Sequence, residues 1–137
     1  MSIKYSKSTP VWIKKLANKT VKLLAPEWDI VIDMVDDVDP KCPEKKAEID
    51  YDSDYLTARI QYEKQIKNNK DGRELVIHEI LHLILSRMGT AAKRLVSNNV
   101  VLKTAWHNYE GAEEEAVVKL SRLLLALIDK TMLNSTK

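Results

Sequence analysis

The chain has 137 residues, 45% hydrophobic and 31% charged, with 22 lysines and arginines against 20 aspartates and glutamates. That composition fits one ordinary folded domain, residues 1–137, with a core of its own, and it excludes a low-complexity chain. The net charge of +2, with lysines spread along the sequence and no basic block, gives nucleic-acid binding no support.

Met1 to Lys7 is polar and basic with no apolar run after it, so no signal peptide is expected. The longest apolar run, Leu123 to Ile128, is too short to span a bilayer, and no membrane association is expected. Cys42 is the single cysteine. No internal disulfide can form, which fits a reducing compartment, and a cytoplasmic protein is expected. Cys42 lies in the proline-punctuated stretch Asp39-Pro40-Lys41-Cys42-Pro43 and reads as an incidental loop thiol.

A first helix is predicted over Thr9 to Ala25, with Ser8 or Thr9 as cap and Pro10 in the first turn. Val11, Trp12, Leu16, Val21 and Leu24 form its inner stripe, and Pro26 ends it. Trp28 to Val35 is rich in β-branched residues and reads as a strand. Asp36, Asp37 and Asp39 lack calcium-loop spacing and read as a solvated acidic loop. Glu48 to Tyr51 is a short second strand. Tyr55 to Ile66 is the third: Leu56, Ala58, Ile60 and Tyr62 alternate with polar residues at period two.

The next stretch carries the chemistry. Residues 74–85 contain His78-Glu79-Ile80-Leu81-His82, set among Leu75, Val76, Ile77, Leu83, Ile84 and Leu85. On a helix, residues four apart share a face, so both imidazoles can point at one zinc ion. Glu79 sits beside them without being a ligand, in the position of the general base of zinc peptidases with this pattern. The pattern can recur by chance, and paired histidines can be satisfied core residues. Here the helix is apolar on nearly every side, so unpaired histidines and a carboxylate would each cost several kcal/mol, a penalty that a shared ion removes. Asp71 is expected as N-cap with Glu74 completing a capping box, after a turn through Asn68, Asn69 and Gly72. Arg87, Met88 and Gly89 are expected to close this helix. Thr90 to Asn108 is ambiguous: Ala91 to Val96 reads as a helical turn or two, Ser97-Asn98-Asn99 as a break, and Val100 to Trp106 as helix or strand. Glu110 to Leu133 is the last helix, with Val117, Leu120, Leu124 and Leu127 on one face, joined by Ala116, Leu123 and Ile128.

A catalytic zinc takes three protein ligands and keeps one position open. Leu85 and Met88 stand where a glycine and a third histidine would complete the longer histidine pattern, so the third ligand is sought on the last helix. Glu114 shares a face with Val117, Val118 and the small Ser121, which would let that face approach closely; it is favoured. Glu113 is the alternative, and Glu110 a remote one.

His78-Glu79-Ile80-Leu81-His82 followed by Glu114-Glu115-Ala116-Val117-Val118 resembles the gluzincin metallopeptidases, more narrowly the small phage- and bacterium-type peptidases related to the SprT-like and ImmA/IrrE-type families. The resemblance implies a minimal zincin-like α+β fold: an N-terminal helix, a small three-stranded, mostly antiparallel sheet, the central zinc helix and the ligand helix. It implies zinc-dependent peptide hydrolysis with His78, His82 and Glu114 as ligands and Glu79 as base. His107, Tyr109 and Tyr55 are candidate oxyanion donors. The strand Leu56 to Glu63 resembles the edge strand that holds a peptide or protein substrate by β-addition. Larger gluzincins place an aspartate four residues after the ligand glutamate; Val118 stands there. A non-catalytic binding module that keeps the zinc site is the alternative. A monomer or weak dimer is expected.

Overall fold

In a computed structural model of the chain the backbone is described for residues 2–96 and 100–135, and the side chains for 2–86, 107–108 and 110–130. Among these residues the order is β1 (Ser2–Tyr5), α1 (Val11–Leu24), β2 (Asp29–Val35), β3 (Ala47–Asp52), β4 (Thr57–Glu63), α2 (Lys70–Val96) and α3 (Val100–Ser135). The class is α+β, as the sequence implies, but the sheet is mixed and four-stranded in the order β1-β2-β4-β3. β1 runs parallel to β2, β2 parallel to β4, and β3 antiparallel to β4. The expected three-stranded, mostly antiparallel sheet is therefore corrected. The additional strand is β1, whose four residues are too few to reveal their alternation.

The expected edge strand is corrected too. Thr57–Glu63 lies between β2 and β4's other neighbour, β3, so both sides of its backbone are engaged. The outer strands are β1 and β3. The β3–β4 turn spans residues 53–56 and is held by Asp52 Oδ1, which accepts the N–H groups of Asp54 and Tyr55 at 2.9 and 3.2 Å. This turn uses residues that the alternation assigned to the strand, and it places Leu56 at φ 54°.

One face of the sheet carries the core. Ile30, Ile32 and Met34 of β2 and Ala58, Ile60 and Tyr62 of β4 are buried, while Asp29, Thr57 and Arg59 on the opposite face are exposed. Ile13, Leu16, Ala17, Thr20 and Val21 of α1 pack there. Val11, expected in the inner stripe, is exposed at the first position of α1, after Pro10 at the N-cap. The Tyr5 hydroxyl ties β1 to α1 through the Lys14 carbonyl and Asn18 Oδ1, at 3.2 and 2.7 Å.

α2 packs against this layer through Val76, Ile77, Ile80, Leu81 and Leu83. Fully burying each large aliphatic side chain contributes roughly 1.5–3 kcal/mol. Tyr62, wholly buried, donates its hydroxyl to the Val76 carbonyl at 2.9 Å, fixing the depth of α2 two residues before His78. The N-cap is Asn69, not Asp71: its Oδ1 accepts the Gly72 N–H at 2.8 Å, and its carbonyl accepts from Arg73 at 2.9 Å. A Cβ at residue 72 would collide with the Lys67 carbonyl, so glycine is required inside the first turn. α2 does not stop at Gly89 but continues to Val96. α3 begins at Val100, ten residues before the expected start at Glu110, so Val100 to Trp106 is helical. The expected break at Ser97-Asn98-Asn99 lies outside the described residues.

α3 runs antiparallel to α2: Asp129 meets Arg73 at 3.3 Å, while Glu114 meets His78 at 2.8 Å. Its inner stripe is Val117, Ser121, Leu125 and Ile128, and Leu120, Leu123 and Leu127 are exposed. The leucine-rich stripe expected to be inside is thus displaced, because the helix is apolar on several sides and the small Ser121 decides which approaches α2. No helix of the described residues is long and apolar enough to cross a membrane.

The cap assignment is testable. Replacing a capping asparagine by alanine typically costs about 1 kcal/mol. Asn69→Ala is expected to lower stability in urea denaturation by more than Asp71→Ala does. The reverse order would return the cap to Asp71.

Candidate metal centre

α2 brings His78 and His82 to its α3-facing side one turn apart, with ring centroids 5.0 Å apart and planes at 72°. Their Nε2 atoms lie 3.3 Å from each other. α3 supplies Glu114, whose Oε1 is 2.8 Å from His78 Nε2 and whose Oε2 is 3.3 Å from His82 Nε2. These three residues form a group able to hold a metal ion. Around a tetrahedral ion with bonds near 2.1 Å, neighbouring donor atoms stand roughly 3.4 Å apart. The observed separations are close to that spacing. The donor set fits as well: two neutral imidazoles and one carboxylate suit a divalent ion of intermediate hardness, zinc among them.

Burial pushes the His78 imidazole below the usual histidine range; the Glu114 carboxylate opposes this, and the neighbouring His82 adds to the depression. A neutral His78 keeps its lone pair available for coordination. Glu114, by contrast, is half exposed, so the centre opens to solvent at the carboxylate.

Glu113 is not part of the ligand group. Its Oε1 lies 3.5 Å from Nδ1 of His82, on the ring's far side. Of the two glutamates left open by the helix-facing argument, Glu114 faces both Nε2 atoms. Glu110 is exposed on α3 and belongs to no contact of the centre.

Glu79 is buried at 8% exposure and makes no hydrogen bond to any described residue. Burial pushes its carboxyl up to about 7; His82 and Lys45 lower it, while Glu114 and Glu48 raise it. Glu79 thus feels the charges of His82 and Glu114 first, and those of Lys45 and Glu48 beyond them. A cation at the ligand group would draw its pKa back down.

The oxyanion candidates fare differently. Tyr55 is 79% exposed in the β3–β4 turn, and its described contact is the backbone bond to Asp52. His107 is exposed two turns before Glu114. The Tyr109 side chain lies outside the described residues. Sequence reasoning missed Tyr51. On β3 it points to the helix side, packs edge-on against Trp28, and has its phenol pKa raised by burial and by Glu113. Alternation along Ala47, Ile49 and Tyr51 was the signal that could have found it.

A shallow groove of about 200 Å³, lined by Asp71, Glu74, Leu75, His78, Val118 and Ser121, runs beside the centre between α2 and α3. A hollow of about 270 Å³ lies away from it, near the start of α2. Within that hollow Lys46 already pairs with the buried Glu63 at 2.8 Å.

No family model, curated protein or solved structure matches the chain.

The ligand group predicts one equivalent of divalent metal per chain after loading and dialysis, read by elemental analysis. His78→Ala, His82→Ala and Glu114→Ala are each expected to weaken binding by more than about 100-fold, beyond the loss seen when only a ligand's supporting partner is removed. Retention by Glu114→Ala at wild-type affinity would remove that residue from the centre.

Proposed function

We propose that the protein is a zinc-dependent peptidase of gluzincin type. The observation that carries this reading is the convergence of His78 Nε2, His82 Nε2 and the Glu114 carboxylate, with a buried carboxylate, Glu79, left out of the ligand set beside them. A purely structural zinc site is closed by four protein ligands, whereas three ligands and an opening to solvent suit catalysis.

Zinc held there would supply a Lewis acid that polarises the scissile carbonyl and acidifies a water. The remaining steps belong to the chain. Glu79 accepts a proton from the attacking water and delivers it to the leaving amine nitrogen, breaking the C–N bond. Its burial keeps the carboxylate short of competing donors. Glu114, anchored on a separate helix, keeps both imidazoles aimed at one point.

The substrate is a peptide in extended conformation. β3 has one edge paired with β4 and the other unpaired among the described residues, and it packs against α2, the helix that carries Glu79. A peptide adding to this edge would gain backbone hydrogen bonds and pass close to Glu79. Tyr51 would flank it. β3 thus takes the substrate-holding role expected of Leu56 to Glu63.

Incubation of the zinc-loaded protein with a mixed unfolded-protein substrate, read by mass spectrometry, is expected to give discrete cleavage products. Glu79→Gln should retain zinc and lose cleavage by at least about 100-fold, the lower range of general acid–base contributions. Zinc retained with no cleavage by the wild type would favour the binding-module reading. Cleavage undiminished in Glu79→Gln would remove Glu79 as the base.

A further inference from the structure

We propose that Glu113 is the positioning residue of the centre, holding the Nδ1 proton of His82 so that Nε2 is aimed at the ion; this rests on the metal reading above.

A neutral imidazole that offers Nε2 to a metal must carry its proton on Nδ1, and the acceptor of that proton sets the tautomer and ring angle. In His82 the two nitrogens meet two consecutive glutamates of α3. Nε2 faces Glu114 at 3.3 Å, and Nδ1 faces Glu113 at 3.5 Å. Adjacent helical residues project about 100° apart, so a tandem pair can reach both sides of one ring.

Burial separates the roles. The Glu113 side chain is 15% exposed, against 55% for Glu114. A largely desolvated carboxylate needs a hydrogen-bond donor or a cation beside it. Among the described residues the His82 ring stands within ion-pair range of Glu113, and the Tyr51 phenol feels its charge from farther off. Glu79, three residues before His82 on the same helix, feels the ring electrostatically but lies outside ion-pair range of it. The position four residues after Glu114, where larger gluzincins carry an aspartate, holds the half-buried Val118, which can accept nothing through its side chain. The orienting carboxylate has therefore moved: it precedes the ligand by one residue and acts on the second histidine.

The experiment is ¹⁵N-histidine NMR on the full chain, metal-free and zinc-loaded, with zinc affinity from chelator competition. Wild type is expected to show His82 as the Nδ1–H tautomer. Glu113→Ala should mix the tautomers at His82 while leaving His78 unchanged, and should weaken zinc binding roughly 10–100-fold. Glu113→Gln, whose amide oxygen still accepts, should recover most of both. Zinc binding with an unchanged His82 tautomer and affinity in Glu113→Ala overturns the role of Glu113 alone. Glutamine failing as badly as alanine also overturns it, as does a loss equal to that of Glu114→Ala, which would make Glu113 a ligand. Wild type that binds no zinc overturns the metal centre and this role together.

Discussion

Two imidazole nitrogens 3.3 Å apart cannot both direct lone pairs into the gap between them without a positive charge there. The fold creates this situation on the α3-facing side of α2, where both imidazoles are largely but not wholly buried. A proton can satisfy one pair of atoms. A divalent ion satisfies both nitrogens and the Glu114 carboxylate at once. The rest of the molecule can be understood as what holds those groups at that spacing.

Helix periodicity fixes the two histidines relative to each other; everything else must fix α3 relative to α2. Val117, Ser121, Leu125 and Ile128 form the seam, with Ser121 buried where a larger side chain would push the helices apart. Charged pairs brace it at the end remote from the histidines, where Arg73 meets Asp129 and Arg122 approaches Glu74 at 3.8 Å. On its other side α2 is held by the sheet, through aliphatic packing and the Tyr62 hydroxyl on the Val76 carbonyl. A carboxylate from a different helix then meets the imidazoles only when this packing is complete, so the centre reports on the fold as a whole.

What could be read from the sequence follows the strength of the local signal. His78, Glu79 and His82 were legible because their spacing matches the helical repeat and a metal's needs together. Glu114 was legible because Ser121, two turns on, marked the face able to approach. Three features were hidden. β1 is a strand only because β2 offers it a parallel edge, and four residues carry too little pattern to show this. The seam of α3 was obscured by leucines on several faces, so counting apolar residues selected Leu120 and Leu127, which are exposed. The order of the strands is a non-local property. Alternation in Thr57–Glu63 shows which side chains face the core, but it says nothing of what pairs with each backbone edge.

That last point bears on how the centre would meet a substrate. A strand between two neighbours has no free backbone groups, whereas β3 has a row of them at the sheet edge that packs against α2. The outward face of β3 is acidic, with Glu48, Asp50 and Asp52 in alternate positions, and charge of this kind discourages indiscriminate strand pairing. The inward positions Ile49 and Tyr51 are the ones turned toward the helices. The free edge of β3, Glu79 with the two histidines on α2, and Glu114 on α3 therefore come from three elements. They meet because α2 packs against the sheet on one side and presents the imidazoles to α3 on the other.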